Sequence, residues 1–130
     1  MFPPPVVVGL TICEKVMVEQ GTTNVTLVST FTRLVVDEFP SPPQRFSLYA
    51  MLTEGLGDAT KLLTVTNLET DGEVDRIKRN LRFPDRLEEV RLLFQIRERP
   101  FPVEGTYQIT LLLDGEWLSE RRLQVLGRQT

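Results

Sequence analysis

Residues 101–118 read FPVEGTYQITLLLDGEWL, and this stretch decides the fold class. Polar residues alternate there with the apolar side chains of Tyr107, Ile109, Leu111 and Leu113. This alternation is the period of a β-strand that buries one face. Asp114-Gly115 supplies the two left-handed residues that a tight hairpin turn requires, and a second apolar run follows. The sequence therefore predicts a closing hairpin in an antiparallel all-β protein.

Strand patterns separated by turn residues recur along the rest of the chain. The strands predicted before the hairpin are Val6–Cys13 with a possible extension to Val18, Val25–Phe31 with a possible extension through Val36, Phe46–Leu52, Lys61–Leu68, Val74–Phe83 and Val90–Ile96. Residues 74–83 also fit a helical stripe, but the Asp71-Gly72 turn signal before them favours a strand. Residues 84–89 have the composition of one helical turn, with Pro84 near its start.

The sequence predicts seven to nine strands, which favours two antiparallel sheets packed face to face. We therefore expect an immunoglobulin-like β-sandwich that forms a single domain, 1–130. Tyr107 follows Gly105 at the start of the penultimate strand, where such sandwiches place a hydroxyl that staples a corner. The inward phase changes between Leu118 and Leu123, which predicts a bulge or kink within residues 119–122.

The chain resembles an uncharacterised bacterial family of small β-sandwich proteins, a domain of unknown function. Three patches carry the resemblance: Cys13-Glu14-Lys15-Val16, the run Val25–Phe31, and Phe101-Pro102-x-x-Gly105-x-Tyr107 followed by Asp114-Gly115-Glu116. They bracket nearly the whole chain. The resemblance implies a fold and a bacterial cytosolic setting, and it implies no activity and no site residues.

Composition sets the broad class of the protein. The 130 residues are 41% hydrophobic and 25% charged, with a net charge of −3. These values are typical of a folded chain and favour neither nucleic acid nor an anionic membrane as a partner. Met1–Pro5 lacks the basic start of a secretory signal, and no apolar run approaches the roughly 20 residues of a membrane span. Because Cys13 is the single cysteine, we expect a reducing, cytoplasmic location.

The chemistry of most catalytic and metal sites is missing from the sequence. The chain has no histidine, which excludes serine–histidine and cysteine–histidine nucleophile pairs and leaves too few ligands for zinc. Asp37-Glu38 and Glu88-Glu89 are adjacent carboxylate pairs, but neighbouring strand residues point to opposite faces. Asp71, Glu73 and Asp75 alternate near a turn, with too few oxygens for a calcium loop. We therefore predict no catalytic residues, no metal and no cofactor.

Cys13 has two interpretations. In an exposed, electropositive setting it would be a reactive thiol. Its apolar neighbours, Ile12 among them, favour packing as a small apolar side chain.

Basic side chains form the first candidate contact site. Arg76, Lys78 and Arg82 share one face of the predicted strand, and Arg97 and Arg99 precede the Phe101-Pro102 corner. Guanidinium groups bind carboxylates, so this set fits an acidic protein surface. Nearby carboxylates can instead neutralise it as an ordinary solvated face. The stretch lacks the aromatic set that stacks on single-stranded nucleic acid.

Leu112 and Trp117 form the second candidate contact site. Across a two-residue turn, Trp117 lies opposite Leu112, the apolar residue on the otherwise polar face of the hairpin. Trp117 either belongs to an exposed patch with Leu112 or closes the end of the core. An exposed patch would require cover from a partner or from a second copy.

Three functions follow for testing. The first is a non-catalytic module that acts through protein–protein contacts or self-association as a homodimer. The alternative is a protein that binds a small molecule or glycan in an aromatic-lined pocket. An enzyme that works with carboxylates alone is the least supported, because it needs two carboxyl groups to converge in a cleft.

Overall fold

The chain folds into strands and the turns that join them. The computed structural model describes residues 5–22, 24–85, 87 and 89–128, apart from the side chains at positions 97 and 98. Within these residues the elements are β1 (Val6–Val18), β2 (Val25–Thr30), β3 (Arg33–Val36), β4 (Gln44–Thr53), β5 (Gly57–Asn67), β6 (Glu73–Phe83), β7 (Val90–Arg99), β8 (Gly105–Leu113) and β9 (Glu116–Gly127). None of the described segments forms a helix long and apolar enough to cross a membrane.

The ambiguous segment is a strand. β6 runs through residues 73–83 and pairs with β5 along its length, which confirms the strand prediction and rejects the helix. The Asp71-Gly72 signal corresponds to a turn with Asp71 in the left-handed region. Of the predicted helical turn at 84–89, Arg86 and Glu88 lie outside the described residues, and the remaining four residues are not helical.

The strands form two sheets, which confirms the all-β sandwich. One sheet has the order β2-β1-β4-β7 and the other the order β3-β9-β8-β5-β6. Every pairing is antiparallel except that of β3 with β9, which is parallel and departs from the purely antiparallel prediction. The departure arises where the chain changes sheets: the Phe31 N–H still donates to Ile12 of β1, and the Thr32 carbonyl already accepts from Gln124 of β9.

The core lies between the two inner faces. The alternation that predicts the closing hairpin is confirmed, because Tyr107, Ile109 and Leu111 are fully buried. They face apolar side chains of the four-stranded sheet, namely Leu10, Ile12, Phe46, Leu48, Ala50, Leu52, Leu92, Phe94 and Ile96. The burial of this apolar surface is the main stabilising contribution to the fold.

A tyrosine corner closes one end of the core, as predicted. The Tyr107 hydroxyl donates to the carbonyl oxygen of Val103 at 2.6 Å. The Phe101 ring contacts the Tyr107 ring edge-on, with 4.8 Å between centroids. The Phe101 N–H donates to the Ser41 hydroxyl and its carbonyl accepts from the Ser41 N–H, both at 2.8 Å. These bonds fix the loop before β8 to the loop before β4.

The closing hairpin contains the predicted irregularity at a different position. Leu111 pairs with Ser119 and Leu112 with Trp117, so Leu118 is the extra residue. The ladder from Ser119 to Val125 is unbroken, and the predicted location within residues 119–122 is therefore wrong. A bulge beside the turn lets Leu118 pack against the core while Trp117 points outward.

Candidate functional site

The outward side of the five-stranded sheet is unusual for a solvent-facing surface. We define the outer face as the outward side chains of β8 and of residues 60–66 of β5, which are Thr60, Leu62, Thr64, Thr66, Thr106, Gln108, Thr110 and Leu112. Asp58, the remaining outward side chain of β5, is charged and lies opposite Arg82 at the border of this face. None of the eight is charged, and all are half-buried. A polar sheet face exposed to water usually carries charged residues, whereas the centre of a protein–protein interface is depleted of them. The outer face therefore has the composition of an interface centre.

An apolar row crosses one end of the outer face. Trp117 pairs with Leu112, and Leu112 pairs in turn with Leu62 of β5. Trp117 is 59% exposed, so it does not close the core. Lys78 of β6 follows as the cross-strand neighbour of Leu62. The predicted opposition of Leu112 and Trp117 is present, and the apolar row, Trp117–Leu112–Leu62, extends it by one residue.

The sequence pattern alone does not assign Leu62 to the outward side of the sheet. Leu62 stands in a Leu-Leu pair, and either leucine fits a core position when the strand is read alone. Leu63, Val65 and Asn67 are the buried residues of β5, so Leu62 points outward. The threonines at 64 and 66, which share its phase, are the one signal in the sequence that could have assigned it.

Charged side chains border the outer face on both sides. Arg76, Lys78 and Arg82 project outward from β6, as their spacing predicts, and Glu120 and Arg122 project outward from β9. The Arg76 guanidinium is engaged by Glu73 at 3.1 Å, in an exposed ion pair. A polar, charged border around an uncharged centre is the usual arrangement of a protein interface.

The other two predicted basic residues belong to the four-stranded sheet, although Arg99 lines a small cleft together with Arg76 of β6. Arg99 ends β7 in the four-stranded sheet, and its Nε is 3.4 Å from the carboxylate of Asp75, whose side chain is 8% exposed. Arg97 lies in β7, and its side chain is outside the described part of the chain. The structure therefore does not bring Arg99 together with Leu112 and Trp117.

A small cleft adjoins Arg99 at the end of the sandwich. Its volume is about 350 Å³, and its lining includes Pro40, Pro100 and Pro102. Asn67 also lines it, with the side-chain oxygen accepting bonds from the Glu69 and Thr70 N–H groups. The Asn67 Nδ2 is buried without a partner among the described residues. None of the described residues that line this cleft is aromatic, so it does not match the predicted aromatic pocket.

The other residues considered for chemistry, Cys13, Glu73 and Asp75, are buried or held by neighbouring side chains. Cys13 is fully buried, and burial raises the pKa of its thiol, which disfavours a reactive thiolate. Glu73 and Asp75, considered for calcium, bond to Arg76 and Arg99. The described residues contain no cluster of three or more side chains that could hold a metal ion.

Lys61 is a half-buried charged residue that shares the inward phase of Leu63. Its Nζ lies 5.0 Å from the centroid of the Phe94 ring on the opposite sheet. Burial, and then the nearby Arg79 guanidinium, lower the pKa of Lys61. The contact with the Phe94 ring offsets part of the cost of partly burying this ammonium group.

Comparison with known proteins assigns the family. Residues 9–126 match the profile of a family of unknown function, DUF6941. The chain belongs to this family. The resemblance inferred from the sequence is thereby confirmed, and the outer face, Trp117, Arg97 and Arg99 all lie within the matched region of DUF6941.

Solved structures and curated proteins add little about function. A crystal structure described as an immunoglobulin-like protein from Pseudomonas aeruginosa is 15% identical in sequence to this DUF6941 chain. The alignment covers 95% of this chain and 97% of the Pseudomonas chain, with a TM-score of 0.45. No curated protein matches the sequence.

Proposed function

We propose that this DUF6941 chain is a non-catalytic interaction module that binds a protein partner through the outer face of its five-stranded sheet. The observation that carries the proposal is the uncharged centre of that face, with the exposed Trp117 at one end. Tryptophan is enriched among the residues that dominate binding energy at interfaces. The apolar row supplies the anchor and the surrounding threonines supply a flat polar contact.

The partner's chemistry follows from the border of the outer face. Lys78 continues the apolar row, and Arg76 and Arg82 lie on the same side of β6. A complementary partner presents apolar side chains to Trp117 and Leu112, with carboxylates placed toward β6. Carboxylates there would add specificity and association rate more than affinity. We propose a cytoplasmic setting, where a lone buried thiol is common.

An affinity pull-down from the native host, with a tagged form of this chain as the bait, tests the proposal. The variants Trp117→Ala and Leu112→Asp remove the anchor and place a charge in the uncharged centre. Leu93→Asp is the matched control, because Leu93 is an exposed apolar residue on the outward side of the other sheet. We expect a partner that the wild type and Leu93→Asp retain and the other two variants lose. Identical recovery by all four proteins would refute the proposal.

A second candidate function is the binding of a small molecule in the proline-lined cleft. The buried, unpaired Nδ2 of Asn67 favours it, because an unsatisfied donor is unusual in a folded protein. The volume, about 350 Å³, is at the small end of ligand pockets. A thermal-shift screen of small carboxylates and sugars tests it. A shift that Arg99→Ala abolishes would support this function, and the absence of any shift would reject it.

A further inference from the structure

A two-stranded arm extends beyond the body of the four-stranded sheet. β4 pairs with β1 from Val6 to Cys13 only, and β2 pairs with the other half of β1, from Cys13 to Val18. The arm, residues 14–22 and 24–30, therefore continues past the end of β4. Apart from β1, no strand makes more than marginal contact with β2.

The arm is apolar although it lies outside the core. Its apolar side chains are Val16, Met17, Val18, Val25, Leu27 and Val28, and none of them packs against the core cluster. Met17 is 53% exposed and Val18 57% exposed, and the other four are half-buried. Val16 pairs with Leu27 and Val18 with Val25, so one face of the arm is continuously aliphatic. Such a surface is costly in water unless something covers it.

β2 also has an unprotected edge. It is the outermost strand of its sheet, so one row of its backbone N–H and C=O groups meets no other strand in the described part of the chain. The sequence of β2, Val-Thr-Leu-Val-Ser-Thr, contains no charge and no proline. Ser29 has a positive φ of 54°, which bends the end of the strand and leaves Val25–Val28 as its regular part.

The other three sheet edges are protected by common devices. β3 is only four residues long. β6 carries charged residues at six of its eleven positions, which are Glu73, Asp75, Arg76, Lys78, Arg79 and Arg82. β7 ends in Arg-Glu-Arg followed by proline. Short strands, charges and proline all discourage pairing with another chain. β2 is the exception among the four edges.

We propose that β2 pairs antiparallel with β2 of a second copy of this chain across a two-fold axis, joining two four-stranded sheets into one. A two-fold axis perpendicular to the sheet makes a strand run antiparallel to its copy and keeps the same face of both sheets on one side. β2 carries no charge, so its copy meets no like charge across the new ladder. If Val25 of one copy pairs with Leu27 of the other, these side chains of both copies lie on the same face of the joined sheet. There they cover each other's aliphatic surface.

This surface is separate from the outer face. β2 belongs to the four-stranded sheet, and Trp117 belongs to the five-stranded one. Self-association through β2 therefore leaves Trp117 available to a different protein, and the two interactions fail independently of each other.

Sedimentation velocity of the full chain, as a function of its concentration, tests the inference. We expect the wild type to reach twice the mass of the chain. Leu27→Lys places two like charges close together across the new ladder and weakens self-association about tenfold or more, equivalent to about 1.4 kcal/mol. Val35→Lys is the control, because Val35 is an exposed apolar residue on the β3 edge. This variant and Trp117→Ala remain dimeric.

Backbone hydrogen exchange of the wild type gives a second readout that needs no variant. Within Val25–Val28, the amides whose N–H groups point to the free edge gain protection as the concentration rises, while amides of the β6 edge do not change. A wild type that is monomeric at every concentration overturns the inference. A dimer that Leu27→Lys leaves intact, or one without added protection at Val25–Val28, overturns it as well.

Discussion

The two faces of β8 differ in what they do for the protein. On the inward face, Tyr107, Ile109 and Leu111 are fully buried, whereas the outward residues between them, Gln108 and Thr110, are half-buried and uncharged. One backbone serves both faces, because successive side chains of a strand point to opposite sides. The inward face specifies the sandwich, and the outward face belongs to the surface that we propose binds a partner.

The largest expected effect is the replacement of an inward residue. Ile109→Ala removes a fully buried side chain and is expected to lower the free energy of unfolding by about 3–4 kcal/mol, because the core cannot fill the cavity. Thr110→Ala, one residue along on the outward face, should change it by less than about 1 kcal/mol. Urea denaturation of both variants measures the difference. Equal losses would show that the two faces are not distinct in stability.

The next effect tests how tightly the inward side is packed at the end of the sandwich. A Cβ on Gly55 would lie 2.5 Å from atoms of the Phe83 ring, which is itself buried. Gly55→Ala is therefore expected to cost about 1–3 kcal/mol, because the ring must move in a full core. Gly9→Ala is the matched control, since its Cβ would meet nothing within 4 Å. Thermal unfolding that shows no difference between the two variants would contradict this packing.

A smaller effect is expected at the corner. Tyr107→Phe keeps the buried ring and removes the bond to the Val103 carbonyl, which leaves that acceptor without its partner. The free energy of unfolding should fall by about 1 kcal/mol, the usual net value of one buried hydrogen bond. Chemical denaturation provides the measurement. Stability equal to that of the wild type would mean that the corner hydroxyl does not stabilise the fold.

The smallest effect is pH-dependent and concerns Lys61. Because the pKa of Lys61 is lowered in the folded chain, its charge destabilises the fold at neutral pH, and deprotonation relieves this cost as pH rises toward the ordinary value of 10.5. Wild-type stability should therefore rise with pH in that window relative to Lys61→Met. Lys78→Met makes the same charge change on the outward side of β6 and is the control. Parallel pH profiles for the wild type and Lys61→Met would contradict the lowered pKa.

Local signals made most of the fold predictable from the sequence. The alternation around Ile109, the Asp114-Gly115 turn and the corner position of Tyr107 each depend on residues close together in the chain, and all three are confirmed. The parallel pairing of β3 depends on where the chain changes sheets, which no short segment encodes. The bulge position depends on whether Leu118 or a later residue turns inward, and periodicity alone does not decide this.

The candidate site divides in the same way. Leu112 and Trp117 could be paired from the hairpin alone, because two-residue turns fix the register. Leu62 enters the apolar row through the register of β5 with β8, which joins segments far apart in sequence. The sequence groups Arg99 with the basic residues of β6 by charge, whereas the structure places it at the end of β7 in the four-stranded sheet, where it pairs across the sheets with Asp75 of β6.

The most direct test of the central claim is photo-crosslinking inside the native host. A photoreactive phenylalanine replaces Thr110, at the centre of the outer face, or Thr11, on the outward side of the four-stranded sheet. Our account predicts a crosslinked product of defined mass from position 110 and none from position 11. Trp117→Ala should abolish that product. Products of equal yield from both positions, or a product from position 110 that survives Trp117→Ala, would contradict recognition through the outer face.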